Sequence, residues 1–137
     1  MSTNSDEYLQ SLALFQKQID FILHDDREAQ MELYAKNLRY EFPIANDRPR
    51  HIEGRDQFRA VMTPWWDEAR QRGAKVTCCT REFHATDEPG LYVAIFTLEV
   101  EMGERIIMLP FVQMIRIRGD LIAEVREYFY PEARAEI

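Results

Sequence analysis

The spacing of hydrophobic residues divides the chain into a helical first half and a strand-rich second half. Apolar side chains recur every three or four positions between about residues 5 and 24, which predicts an amphipathic helix. A short second helix is expected to follow, capped by Asp25 or Asp26 and ending near Lys36. A third helix contains Pro64, which is expected to bend it. Its apolar residues predict the buried face: Phe58, Met62, Trp65, Trp66 and Ala69.

Apolar and polar side chains that alternate along the chain predict the strands. Strands are predicted in the runs 38–44, 75–85, 91–102, 105–118 and 121–131, which alternate between apolar and polar side chains or end at turn residues. Helices followed by long antiparallel strands indicate an α+β fold, with the helices on one face of a curved sheet. The 137 residues suffice for one domain, 1–137, without a repeat or linker.

Charged residues at alternate positions identify the outer face of two late strands. Glu99 and Glu101 mark it in 91–102, and Arg116 and Arg118 mark it in 105–118. The remaining alternate positions are predicted to face the helices: Tyr92, Ala94, Phe96, Leu98, Val100 and Met102 in the first strand, and Phe111, Gln113, Ile115 and Ile117 in the second.

The last strand contains one carboxylate on an otherwise apolar face. By alternation, Glu127 shares that face with Leu121, Ala123, Val125 and Phe129. An ionised carboxylate among apolar groups is costly unless it is paired or neutralised. With Gln113 also inward on the neighbouring strand, the pattern predicts a polar spot in a small-molecule pocket.

A structural role for these two polar residues is the alternative. The strand 75–85 faces inward either with Cys79, Arg81 and Phe83 or with Cys78, Thr80, Glu82 and His84. An inward Arg81 would pair with Glu127 and remove the case for catalysis. A buried Gln113 could equally bond only to backbone groups.

Composition narrows the class of partner. The net charge of -7 and a pI of about 5.0 argue against nucleic acid or an anionic membrane. No signal peptide or membrane-spanning run is visible, so a cytoplasmic location is expected. The adjacent Cys78 and Cys79 offer no disulfide framework, and His24, His51 and His84 lack metal-ligand spacing, so neither a metal nor a cofactor is expected.

Two segments resemble a known superfamily. "ELYAKNLRYEFPIANDRPRHIEGRDQFRAVM" and "PFVQMIRIRGDLIAEVREYFYP" are similar to the nuclear transport factor 2-like superfamily, most of all to its SnoaL-like and phenazine-biosynthesis A/B-like members. The resemblance covers about residues 26–131. It implies a cone in which a strongly bent antiparallel or mixed sheet wraps around three N-terminal helices and leaves a deep apolar pocket. Because the superfamily includes isomerases, cyclases, hydrolases, dehydratases and binding proteins, it marks the fold better than the chemistry.

The resemblance also assigns positions. In ketosteroid isomerases of this fold the general base precedes the proline after the first strand, where this chain has Phe42. The isomerase's oxyanion tyrosine corresponds to a position near Gln18 and its protonated aspartate to Gln113, which could still donate a hydrogen bond to a carbonyl oxygen. In epoxide-hydrolase-like and phenazine-type members the working acid corresponds to Glu127. The hydrolase's arginine has no match in "FTLEVEM", and the phenazine-type histidine is replaced near Val61.

We therefore expect cofactor-free acid/base chemistry on an apolar cyclic or polyketide-like substrate, by an isomerase, a cyclase or a related lyase. Glu127 would be the acid/base and Gln113 the polar anchor. A binding module without turnover and a dimerisation domain are the alternatives. The other expected ligand contacts are Gln18, Tyr40, Phe42, His51, Met62, Trp65, Trp66, Phe96, Leu98, Phe111 and Phe129. A homodimer is expected through the outer sheet face, which carries Val93, Ile95, Val112, Met114, Tyr128 and Tyr130.

Overall fold

Helices on one side of a mixed sheet make up the part of the chain that this computed structural model describes, residues 3–129 and 135–136. The elements in chain order are α1 (Thr3–Leu23), α2 (Arg27–Met31), β1 (Tyr34–Glu41), β2 (His51–Glu53), α3 (Arg55–Gln71), β3 (Lys75–Ala85), β4 (Leu91–Met102), β5 (Arg105–Arg118), β6 (Leu121–Tyr128) and β7 (Ala135–Glu136). The predicted α+β class, with helices packed on an open mixed sheet, is confirmed.

The strand order of the sheet is β2-β1-β6-β5-β4-β3, and β7 pairs with β5 beside the start of that strand. The β1–β6 pairing is parallel, whereas the other pairings are antiparallel. This order places β1, β6 and β5 next to one another, although β1 is far from the other two in sequence. Side chains from these three strands can therefore meet on one face.

The helices cover the inner face of the sheet at its two sides. On α1, the Tyr8 hydroxyl donates to the Phe83 carbonyl oxygen of β3 at 2.7 Å, and Phe15 stacks on the Phe83 ring at 5.0 Å. On α3, Phe58 stacks on Tyr40 of β1 at 4.3 Å. Phe15, Phe83, Phe58 and Tyr40 all belong to one buried hydrophobic cluster.

The boundary between α2 and β1 differs from the prediction. Asp26 does cap α2, because its Oδ1 accepts a hydrogen bond from the Ala29 amide at 3.2 Å. The helix ends at Met31 rather than near Lys36, and the strand starts at Tyr34. The Tyr34 ring is buried against Phe58 at 5.4 Å, so tertiary packing outweighs the local helical spacing.

The third helix continues through Pro64 from Arg55 to Gln71. Among its predicted buried residues, Phe58 is fully buried, whereas Met62, Trp66 and Ala69 are only partly so. Trp65 is 39% exposed and does not belong to the buried face, because the inward stripe follows the other four residues at three- and four-residue spacing.

The inner faces of β4 and β5 agree with the alternation, from Tyr92 to Met102 and from Phe111 to Ile117. The start of β6 does not, because its register against β5 shifts between the pairs Arg116–Glu124 and Ile117–Ile122. Ile122 is consequently buried, and Leu121 lies opposite the exposed Arg118 rather than on the inner face. From Val125 onward the predicted alternation holds.

Candidate functional site

A cavity of about 750 Å³ lies between the helices and the inner face of the sheet. Its walls come from α1, α2 and α3 and from strands β1, β3, β4, β5 and β6. The predicted site residues that line it are Gln18, Tyr40, Met62, Trp66, Phe96, Leu98, Phe111, Gln113, Glu127 and Phe129.

Three polar side chains form a hydrogen-bonded triangle on this cavity wall. Glu127 of β6 is 7% exposed, and its Oε1 accepts from the Tyr40 hydroxyl at 2.8 Å and from Gln113 Nε2 at 2.7 Å. Gln113 Nε2 also donates to Tyr40 Oη at 3.2 Å. The antiparallel register places Gln113 directly opposite Glu127, and the parallel register places Tyr40 opposite Val125, two residues from Glu127. The sheet topology thus builds the triangle from β1, β5 and β6.

Burial dominates the protonation of Glu127. Loss of solvent raises the pKa of its carboxyl, and the hydrogen bonds from Tyr40 and Gln113 and the positive charge of Arg48 only partly offset that rise. The pKa of Tyr40 is raised well above its usual value by burial and by the neighbouring carboxyl, so its hydroxyl keeps its proton. A carboxyl of this kind holds its proton to a higher pH than a solvated one.

No cation among the described residues forms an ion pair with Glu127, and its Oε2 has no hydrogen-bond partner there. Arg81, the partner expected under the structural alternative, is exposed on the edge strand β3. Phe83 of that strand is buried and packs under α1. The pairing of Arg81 with Glu127 is therefore absent from the described part of the chain.

The Gln113 amide makes its hydrogen bonds within the triangle rather than toward the cavity. Its Nε2 has two hydrogens, and these are directed at Glu127 Oε1 and Tyr40 Oη. Its Oε1 is buried without a hydrogen-bond partner in the structure. In this arrangement Gln113 positions Glu127, and the expected hydrogen bond from Gln113 to a ligand carbonyl stays a prediction.

A second polar cluster lines the same cavity around Tyr34. Tyr34 Oη accepts from Gln18 Nε2 at 3.3 Å and from Gln30 Nε2 at 3.1 Å, and Arg27 Nη1 donates to Gln30 Oε1 at 2.9 Å. Burial raises the pKa of Tyr34 to about 12. The Arg27 guanidinium lies 4.6 Å from the Trp66 ring centroid. Gln18 Oε1 is buried without a hydrogen-bond partner among the described residues.

Phe42, Trp65 and His51 do not line the cavity. Phe42 is buried behind the wall, with its ring 4.9 Å from that of Tyr40. His51 is exposed on β2, where Ile52 takes the inward position and His51 Nε2 lies 2.7 Å from Glu53 Oε1. These three residues were expected to contact a ligand, and the structure places them away from the cavity lining.

Arg48 is a cavity residue that the sequence pattern did not indicate. Its guanidinium lies 5.1 Å from the centroid of the Phe42 ring and 4.7 Å from that of Trp65. Its Nε and Nη2 donate to the two carboxylate oxygens of Asp47 at 3.0 Å and 3.2 Å. The polar run "ANDRPR" is typical of a solvent-exposed loop, and only the neighbouring aromatic residues give a signal for a buried cation.

Residues 3–129 and 135–136 contain no group of three or more His, Cys, Asp or Glu side chains placed to hold a metal ion. No helix in those ranges is long and apolar enough to cross a membrane.

The helix-on-sheet fold, its cavity and the family match make this a protein of the nuclear transport factor 2-like superfamily. Within it, this chain belongs to the SnoaL-like domain family, whose model matches residues 15–125. A search of curated proteins finds no match.

Solved structures share the fold at low sequence identity. The "Putative Isomerase from Bacillus subtilis" is 21% identical with a TM-score of 0.79, covering 92% of this chain and 90% of that one. A "computationally designed 17-OHP binder" is 19% identical with a TM-score of 0.70, covering 93% and 96%. A "putative polyketide cyclase" from Xanthomonas campestris pv. campestris is 14% identical with a TM-score of 0.66, covering 92% and 94%. At these identities the likeness shows the fold.

Proposed function

We propose that this protein catalyses cofactor-free proton transfer on an apolar cyclic or polyketide-like molecule, with Glu127 as the general acid or base. The observation that supports it is the position of one carboxyl. Glu127 lines the cavity, has a raised pKa and is held by neutral hydrogen-bond donors rather than by a paired cation.

The triangle suits a proton-transfer role because it fixes one carboxylate oxygen of Glu127 and leaves the other without a hydrogen bond from the described residues. Tyr40 and Gln113 both direct hydrogens at Oε1, which orients the group. Oε2 can then take a proton from a carbon next to a substrate carbonyl and return it to another carbon. A buried carboxylate with a raised pKa is a stronger base than a solvated one.

The cavity walls suit a flat ring system. Phe96, Phe111 and Phe129 form a continuous stack, with ring centroids 4.9 Å and 4.7 Å apart and interplanar angles of 14° and 20°. Small-molecule pockets typically have volumes of about 300–1,000 Å³, so a cavity of about 750 Å³ would accommodate a molecule of several fused rings. The SnoaL-like family and its cyclase- and isomerase-named neighbours support the same substrate class.

Exchange of the α-protons of β-tetralone in deuterated water, followed by proton NMR, tests the proposal. The wild type should accelerate exchange, and Glu127→Gln should reduce the acceleration by about 10²–10⁴-fold, the usual contribution of a general base. Glu124→Gln, on the outer face of the same strand, is the matched control and should leave the acceleration of exchange unchanged. Equal acceleration by the wild type and Glu127→Gln would contradict the role of this residue.

A binding module without turnover is the second candidate. It is supported by the cavity of about 750 Å³ with its largely apolar lining and by the fold shared with a designed binder. In that case the wild type would bind β-naphthol, the aromatic analogue of the tetralone enol, but would not accelerate exchange. The Glu127→Gln variant would bind it with similar affinity.

We also propose that the protein is a cytoplasmic homodimer that buries the outer sheet face. Ile95 and Val112, which are directly paired on adjacent strands, are 40% and 39% exposed. Val93, Met114 and Tyr128 are partly exposed, and the expected contribution of Tyr130 lies outside the described residues. Apolar side chains in such a patch favour association with a second copy.

A further inference from the structure

Proton removal next to a carbonyl requires a second group besides the base. As the C–H proton moves to Glu127 Oε2, the C–H electron pair becomes a carbon–carbon double bond and the carbonyl π electrons move onto oxygen. The resulting enolate oxygen needs a positioned hydrogen-bond donor, which usually contributes much of the rate enhancement. The donors of Tyr40 and Gln113 are already directed at Glu127 or at each other. Another cavity residue must therefore stabilise the enolate.

Four cations line the cavity: Arg27, Arg48, Arg70 and Lys75. Arg70 and Lys75 are exposed, and Arg70 is bonded to two surface aspartates. Arg27 donates to Gln30 in the Tyr34 cluster. These three belong to the solvent-exposed opening or to the second polar cluster.

Arg48 differs from these three in its enclosure. Its side chain is 10% exposed and its guanidinium is held between two aromatic rings. The bidentate contact with Asp47 uses Nε and Nη2, so Nη1 is the end without a hydrogen bond in the described part of the chain. A guanidinium with a fixed plane and one free nitrogen is suited to bind an oxygen that carries negative charge.

The Arg48 charge also reaches the triangle. It opposes the burial that raises the pKa of Glu127, and it lowers the pKa of Tyr40 against the larger effect of burial. No other cation has a resolved effect on Glu127 among the described residues. Arg48 and Glu127 both line the cavity, whose volume of about 750 Å³ would hold a carbonyl and its neighbouring C–H group.

We infer that Arg48 is a second catalytic residue, which donates a hydrogen bond from Nη1 to the substrate carbonyl and stabilises the enolate formed by Glu127. This role rests on the proposed proton transfer and limits the substrate to a carbonyl compound whose enolate is a planar, delocalised anion. It also explains why Phe42 and Trp65 are absent from the cavity wall. They hold the guanidinium instead of the ligand.

The anionic form of β-naphthol reports on Arg48 without turnover. The ionisation of the bound probe is followed by its absorbance in the wild type, Arg48→Met, Arg48→Lys and the surface control Arg118→Met. Methionine keeps the stacked side chain without its charge. Arg48→Met should bind the naphtholate about tenfold to hundredfold less tightly and raise the pKa of the bound probe, the loss expected for one hydrogen bond to a charged group. The naphtholate affinity of Arg48→Lys should lie between those of the wild type and Arg48→Met, and the affinity of Arg118→Met should match that of the wild type.

Exchange of β-tetralone separates this inference from the proposed function. Arg48→Met should slow exchange through kcat by a factor similar to its loss of naphtholate affinity, and added methylguanidinium should restore part of the rate. If Arg48→Met retains both naphtholate binding and exchange while Glu127→Gln loses exchange, the role of Arg48 is overturned and that of Glu127 stands. If Glu127→Gln retains exchange while Arg48→Met loses naphtholate binding, the proton-transfer proposal fails and Arg48 is only an anion-binding residue.

Discussion

Replacing Tyr40 with phenylalanine isolates one hydrogen bond of the triangle. The ring keeps its stacking on Phe58 at 4.3 Å and its contact with Phe42 at 4.9 Å, so little packing energy is lost. The change removes the 2.8 Å hydrogen bond to Glu127 Oε1 and an acceptor for Gln113. The cost therefore depends on whether the carboxyl carries a charge.

The two protonation states give different magnitudes. A hydrogen bond to a charged group contributes about 1.5–3 kcal/mol and one between neutral groups about 0.5–1.5 kcal/mol. Tyr40→Phe should thus lower the free energy of unfolding by about 1 kcal/mol more when Glu127 is ionised than when it is protonated. The variant should also raise the pKa of Glu127 further, because one of the hydrogen bonds that lowers it is lost.

Urea unfolding across a pH series that spans the Glu127 titration measures this difference. Tyr34→Phe is the matched control, because its buried hydroxyl accepts from the amides of Gln18 and Gln30 rather than contacting a carboxylate. The loss in free energy of unfolding caused by Tyr34→Phe should change little with pH. A Tyr40→Phe cost that stays constant, or that shrinks as the pH rises, would refute the charge-assisted hydrogen bond.

Three further predictions concern stability and assembly. Because the pKa of Glu127 is raised on folding, the folded state binds more protons than the unfolded state at pH values between the ordinary glutamate pKa and the raised one. The free energy of unfolding of the wild type should therefore fall as the pH rises through that window. Urea unfolding of Glu127→Gln should not show this fall. Gly90→Ala should cost about 1–2 kcal/mol in the same assay, since Gly90 has φ +81° and a Cβ there would lie 3.1 Å from the Ile117 carbonyl oxygen. Ile95→Lys should convert a wild-type dimer to a monomer in sedimentation velocity, and a monomeric wild type would contradict the outer-face interface.

Glu127 and Gln113, the acid and the amide of the triangle, could be found from the sequence because strand alternation fixes the direction of each side chain. Once Glu99, Glu101 and the outward arginines had set the outer face, Gln113 had to point inward, and Glu127 followed from its own apolar neighbours. Their direct opposition depends on a hairpin between consecutive strands, which is the commonest arrangement.

The rest of the site depends on contacts that have no local period. Tyr40 reaches Glu127 only because β1 pairs in parallel with β6, 87 residues away. Arg48 lies in a loop, where its burial depends on Phe42 and Trp65 from two other segments. The shifted register near Ile122 likewise depends on the pairing of β5 with β6 and could not be read from β6 alone.

Carbon-13 NMR titration of glutamate-labelled protein, with Glu127→Gln used to assign the resonance, tests the central claim most directly. The account predicts that the Glu127 carboxyl titrates above the other glutamates and that added β-naphthol changes its pKa, since the ligand would occupy the same cavity. A carboxyl that titrates at the ordinary glutamate value and does not respond to the probe would contradict a buried, ligand-facing acid.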